Sequence, residues 1–142
     1  MSISLRIGLV VTDVGFLAYW CLSALFAARL VNVPAEWLFA DYHDARVIAW
    51  NWSFLPLDVA FSIIGLAAIR RYQKGDASWR HLAIISLVLS STAGGMAVSY
   101  WALLGAYEPI WLEINLALFA WPLFFIPGLI RDAAAAATPP AA

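Results

Sequence analysis

Charge is what this sequence has least of. Asp, Glu, Lys and Arg make up 12% of its 142 residues, against 64% hydrophobic. Soluble domains carry roughly 25% charged and 45–50% apolar residues. A chain this short leaves much of its surface facing its surroundings, so a bilayer rather than water is the solvent that suits it. The net charge of −1 gives no general attraction to nucleic acid or anionic lipid, and no nucleic-acid partner is expected. Cysteine is nearly absent too. The one thiol, Cys21, excludes an internal disulfide, and its apolar neighbours make it read as a small buried hydrophobe. Histidine occurs twice. His43 sits in Asp41-Tyr42-His43-Asp44, which reads as a solvated loop because a metal needs fixed ligand geometry. His81 sits beside Arg80 and faces head groups. No metal and no cofactor are expected. No segment alternates apolar and polar residues over the ten positions of a barrel strand, and no internal repeat stands out.

What is present is a set of long apolar runs. A helix needs about 20 residues to cross a hydrocarbon core of roughly 30 Å. Four runs meet that length, at about 7–28, 47–69, 82–104 and 112–130. The fold class that follows is all-α, an integral membrane four-helix bundle with one domain over 1–132. The Ala- and Pro-rich tail, 133–142, has little to pack and is expected to be disordered. The run after Met1–Arg6 is too long for a signal h-region, and no A-x-A site follows it, so it reads as a retained first span. In a four-span topology Arg6, Arg70, Arg71, Lys74, Arg80 and Arg131 fall on one side, and Arg29 and Arg46 on the other. The positive-inside rule then puts both termini in the cytoplasm of a bacterial cell, with the chain multi-pass in the cytoplasmic membrane. In the first outer loop, proline at Pro34 favours a short helix carrying Trp37 and Phe39 into the interface.

Two acids stand inside the runs, Asp13 and Asp58. An aspartate at a helix centre costs about 2.5–3.5 kcal/mol on insertion scales, so such residues face the bundle interior and often mark function. By helical rise Asp13 lies about 10 Å above Arg6, and Asp58 about 18 Å from Arg70. No basic residue occupies a span interior to neutralise either. Asn51, Asp58, Ser62 and Gly65 recur at spacings that share one face of the second span. Pro56 interrupts the hydrogen-bond ladder near Trp52. Asn115 sits in the outer third of the fourth span, above Trp121-Pro122 and Pro127, and bonds either to Asn51 or to a freed carbonyl. Ser86, Ser90, Ser91, Thr92, Gly94, Gly95 and Ser99 make the third span a close-packing helix.

Aromatic residues gather toward the outer side, where Trp50, Trp52, Tyr100, Trp101 and Trp111 fall with Trp37, Tyr42 and Tyr107. Tyr72 and Trp79 lie on the inner side. A belt alone would enrich both interfaces. Some of these rings therefore line an outward cavity, with Trp20 and Trp121 deeper as its floor or walls. Aromatic walls with a few convergent polar groups are the usual form of a small-molecule site. A dry network in which Asn51, Asp58 or Asn115 accepts from indole N–H groups explains the same residues.

The stretch Ala49-Trp50-Asn51-Trp52-Ser53-Phe54-Leu55-Pro56-Leu57-Asp58, with Asp13 and Trp121-Pro122-Leu123-Phe124-Phe125-Ile126-Pro127, resembles the YvaD family of small four-span bacterial membrane proteins. The resemblance covers Leu9 to Ile130. A looser likeness runs to the EXPERA superfamily, which includes the emopamil-binding sterol isomerases and the sigma-2 receptor. Those are four-helix bundles with an acid in the first helix, a Ser-Phe-x-x-x-acid-x-x-Phe pattern in the second, and proline in the fourth. Ser53, Phe54, Asp58 and Phe61 match the pattern, and Pro122 and Pro127 the proline. That likeness implies that Asp13 and Asp58 are paired acids of an intramembrane lipid pocket. The intramembrane histidine of some isomerases has no counterpart here.

Three functions compete. The first is a pocket that binds or isomerises a terpenoid or sterol-like lipid, with Asp13 and Asp58 as candidate catalytic acids. Asn51, Trp52, Trp20, Tyr100, Asn115 and Trp121 are its candidate ligand-binding residues. One acid would protonate an alkene, a carboxylate would remove a proton, and ring faces would steady the cation. The second is a non-enzymatic membrane subunit or assembly partner. The third is a proton-coupled transporter, complete only as a homo-oligomer. Whether the chain is an enzyme stays open at this point. Its certain partner is the lipid bilayer.

Overall fold

The computed structural model describes residues 1–32, 34, 41, 43–105 and 109–137. Six helical segments follow one another among them: α1 (Ile3–Ala27), α2 (Ala45–Ser53), α3 (Leu55–Gln73), α4 (Trp79–Leu104), α5 (Pro109–Leu123) and α6 (Ile126–Ala137). They join into four rods long and apolar enough to cross a membrane: Ile3–Ala27, Ala45–Gln73, Trp79–Leu104 and Pro109–Ala136. No strand occurs among the described residues.

Local chemistry sets the ends. The Ser2 side chain accepts from Leu5 N–H at 3.2 Å, so α1 begins before Arg6 rather than after it. Asp44 caps α2 by accepting from Arg46 N–H at 2.7 Å. Gly105 ends α4 at φ 64°, a left-handed turn that glycine makes without strain. The second rod breaks at Phe54 because Pro56 has no N–H for the Trp52 carbonyl. The fourth breaks at Phe124–Phe125 because Pro127 has none for Leu123. Beyond that break α6 runs on to Ala137, past the end expected near Ile130. Its alanine run has the highest helix propensity of any residue type, so 133–137 are helical where a disordered tail was expected. Residues 138–142 lie outside the described residues, as does the short helix expected around Trp37 and Phe39.

α3 packs against α1 and α4, and α4 packs against α3, α5 and α6, whereas α1 and α5 are not among the closely packed pairs. The bundle is therefore open along one side. α4 is central because its inner face is small. A Cβ built on Gly94 would lie 2.6 Å from Phe119 N and 2.7 Å from Asn115 O, so only glycine lets α5 approach. Ser86 donates to the Phe61 carbonyl of α3 at 2.9 Å, and Ser91 to the Phe119 carbonyl of α5 at 2.8 Å. Thr92 and Ser99 bond back to their own helix.

At the end of the bundle holding the N-terminus and the α3–α4 turn, Leu5, Leu9, Ala68, Ile69, Ala83 and Leu87 form an apolar layer. A second cluster, Phe61, Ala93 and Leu118, lies nearer the middle. Outward faces carry large apolar side chains such as Val11, Ile63, Met96 and Phe119. Cys21, expected to be buried, is exposed. The reason is that only α3 brings its backbone close to α1 among the tightly packed pairs, so much of the α1 circumference faces out.

Candidate functional site

The break at Phe54 does more than bend a rod. It gives α3 a fresh N-terminus in the midst of an apolar run, and Asp58 occupies its first turn. Unpaired N–H groups at a helix N-terminus favour a negative group. Asp58 is 3% exposed. Its Oδ2 accepts from the Trp20 indole Nε1–H at 3.0 Å, while Oδ1 has no hydrogen-bond partner among the described residues. One turn above the break, Asn51 Oδ1 accepts from the Tyr19 hydroxyl at 3.1 Å, and Asn51 Nδ2 is without a partner among the described residues. Asn115 donates to the Trp111 carbonyl of its own helix at 2.7 Å. Asn51 and Asn115 therefore do not bond to each other. Each finds a nearer acceptor or donor.

Asn51, Asp58 and Asn115 converge on one cavity of about 40 Å³, walled by Tyr19, Trp20, Trp50, Trp101 and Trp111. A water needs about 10–15 Å³ of such space, so the cavity has room for a few waters and not for a lipid. Its rim is a mesh of rings. Trp50 stacks on Tyr100 at 4.0 Å, Trp20 meets Trp52 at 5.4 Å, and Tyr19 meets Trp111 edge-on at 6.4 Å. Tyr100 and Trp52 thus back the lining rings and do not line the cavity themselves.

On the open side, between α1 and α5, runs a groove of about 870 Å³ lined by residues such as Gly8, Val11, Gly15, Ile114 and Trp121. Trp121 belongs to this groove, with its ring against Gly8. Phe16, Tyr19, Trp111 and Leu118 line both the groove and the inner cavity. They form a single wall between the two. Sequence reasoning missed Tyr19, whose hydroxyl one residue before Trp20 was the available signal, and it missed the groove.

Asp13 is elsewhere. It is 1% exposed, lines neither space, and packs against Gly65 and Ser86 toward the apolar layer. The two acids thus sit in separate layers of the α1–α3 seam and are not a pair facing one cavity.

These features define a small all-helical bundle with rods of membrane-spanning length, an acid at a helix break, and one side open. The chain belongs to the family of unknown function DUF5360, whose model matches residues 5–136. It is similar to the uncharacterized protein YvaD of Bacillus subtilis (strain 168), being 38% identical over 128 residues that cover 90% of this chain and 92% of that protein. The Trp-Asn-Trp-Ser-Phe-Leu-Pro-Leu-Asp run had led to the same relatives. No solved structure matches.

Proposed function

We propose that this chain is a multi-pass membrane protein, both termini cytoplasmic, that binds a lipid-like ligand bearing one hydrogen-bonding end. The observation carrying this reading is the shared wall of Phe16, Tyr19, Trp111 and Leu118 between the polar cavity and the apolar groove. The cavity takes a hydroxyl or amine at Asn51, Asp58 and Asn115. The groove, within the roughly 300–1,000 Å³ usual for ligand sites, takes the terpenoid or sterol-like body directly from the bilayer. Rotation of the Tyr19 and Trp111 rings opens the way between them. The likeness of Ser53, Phe54, Asp58 and Phe61 to the EXPERA pattern supports the same use of the second rod. Two-acid isomerisation is less well supported than binding, because Asp13 lies outside the cavity.

The test is binding of a terpenoid alcohol and a long-chain tertiary amine to protein in nanodiscs, read by thermal shift. The parent is expected to be stabilised, the Asp58→Asn variant less so, and the Gly15→Leu variant, which fills the groove, not at all. Equal shifts in all three proteins would overturn the reading.

A further inference from the structure

The groove between α1 and α5 has a fixed height, because side chains of the two helices meet across it at two levels. At one level the Tyr19 and Trp111 rings lie edge-on at 6.4 Å. At the other the Trp121 ring rests on Gly8, where a built Cβ would lie 2.7 Å from Cζ3 and 3.0 Å from Cη2. Gly8 thus faces Trp121 and Tyr19 faces Trp111, so the helices run antiparallel. Gly8 to Tyr19 is eleven residues of α1 and Trp111 to Trp121 is ten of α5, about 16.5 Å and about 15 Å of helical rise. The two spans agree. Between the levels the helices stand apart. They are not among the closely packed pairs, and nothing lies within 4 Å of a Cβ built on Gly15. The groove is a window on the bilayer, with Tyr19 and Trp111 as its lintel and Trp121 on Gly8 as its sill.

The sill is held from behind. Trp121 packs against the inner apolar layer and meets the Phe125 ring edge-on at 5.9 Å. The lintel carries the polar side. Tyr19 and Trp111 line both the window and the cavity of Asn51 and Asp58, whereas Trp121 lines the window alone. The hydrogen-bonding end of a bound molecule therefore lies at the lintel, and its body points toward the sill. Trp121 touches only the far end of that body.

Two constraints choose the body. The window opens sideways on the bilayer, which supplies acyl chains in excess. A flexible chain loses rotamer freedom when it settles between two walls, and a fused-ring body has little to lose. A chain that is too long can also leave through the open side, whereas a rigid body must fit between lintel and sill. Length therefore discriminates among rigid bodies. We propose that Trp121 is the length-setting residue of this site, and that the ligand is a short ring-built alcohol whose body ends at the Trp121 ring. A longer rigid body meets that ring before its hydroxyl reaches the cavity. This deepens the lipid-binding reading above and rests on it.

The test compares monocyclic, tricyclic and pentacyclic terpenoid alcohols. Their affinities are measured for the full chain in diacyl phospholipid nanodiscs, with partition into empty discs subtracted. The parent is expected to bind the first two and to bind the pentacyclic alcohol at least about tenfold more weakly. Trp121→Leu lowers the sill and removes that difference. Ala117→Phe places a ring one turn above the sill, about 5.4 Å nearer the lintel, and extends the rejection to the tricyclic alcohol. Ala117 is an exposed residue of the window wall, so this variant keeps the test in force if Trp121→Leu does not fold. Affinity ratios within one protein are also unaffected by a loss of folded fraction. The same ratios in all three proteins would overturn the length-setting role and leave lipid binding in place. No binding of any alcohol by any of the proteins would overturn the lipid-binding reading and this inference with it.

Discussion

The indole Nε1–H of Trp20 donates to Asp58 Oδ2 over 3.0 Å, tying α1 to the start of α3 inside an apolar bundle. Both residues are buried. Trp20→Phe deletes the donor and leaves the acid unpartnered, which costs about 1–3 kcal/mol. Asp58→Asn keeps an acceptor for the indole and costs less. Chemical unfolding in detergent should therefore rank parent, Asp58→Asn, Trp20→Phe in falling stability. The double variant should show a coupling of roughly 0.5–3 kcal/mol, and strict additivity would mean that the bond carries nothing.

The glycines of the bundle separate by what surrounds them. Gly94 sits on the backbone of α5, and Gly94→Ala forces a methyl group to within 2.6 Å of Phe119 N. Overpacking of this kind costs about 1–3 kcal/mol, and here the listener is backbone, which cannot rotate away. Gly15 has nothing within 4 Å of its built Cβ, so Gly15→Ala is tolerated and gains up to about 1 kcal/mol of helix propensity. Thermal unfolding of the two variants should move in opposite directions.

Pro56 and Asp58 act together. Pro56→Ala supplies the missing N–H to the Trp52 carbonyl and heals the break between α2 and α3. The second rod then straightens, Asp58 loses its place in a first turn, and Asn51 rotates relative to it. Spin-label distances between sites on α2 and α4 should lengthen or shorten by several ångströms, with reduced binding of the amine probe. Unchanged distances would show that the bend is imposed by packing and not by proline.

How much of this the sequence disclosed depends on whether a feature is local. The four rods follow from run length, and the bend follows from Pro56 alone. The start of α1 at Ile3 was missed because one cap, Ser2, outweighs the charge of Arg6. The end of α6 was missed because alanine propensity carries the helix past Asp132. Asp13 and Asp58 were both found as buried acids, since burial of an acid in an apolar run needs only the run. Their separation into two layers was not visible, because it depends on the register of α1 against α3, set by Trp20–Asp58 and Asp13–Gly65. The Tyr19–Asn51 bond and the open α1–α5 side are long-range in the same sense.

The α3–α4 turn supplies a titration whose sign is fixed by geometry. The Arg71 guanidinium donates to Asp76 Oδ2 at 2.5 Å, and the Ser78 backbone N–H donates to Oδ1 at 2.9 Å. These bonds, Arg71 first, hold the Asp76 carboxyl down at about 2. An unfolded aspartate titrates near about 3.9. A folded value below the unfolded one means the contribution is fully present above about pH 4 and is lost as pH falls toward 2. The pair is exposed, so its contribution is small and screened by salt. Asp76→Asn should lower the unfolding temperature slightly at pH 7 and low ionic strength. The difference from the parent should shrink with added salt and disappear as pH falls below about 2. A difference that persisted well below pH 2 would assign the turn's stability to its backbone and not to this charge.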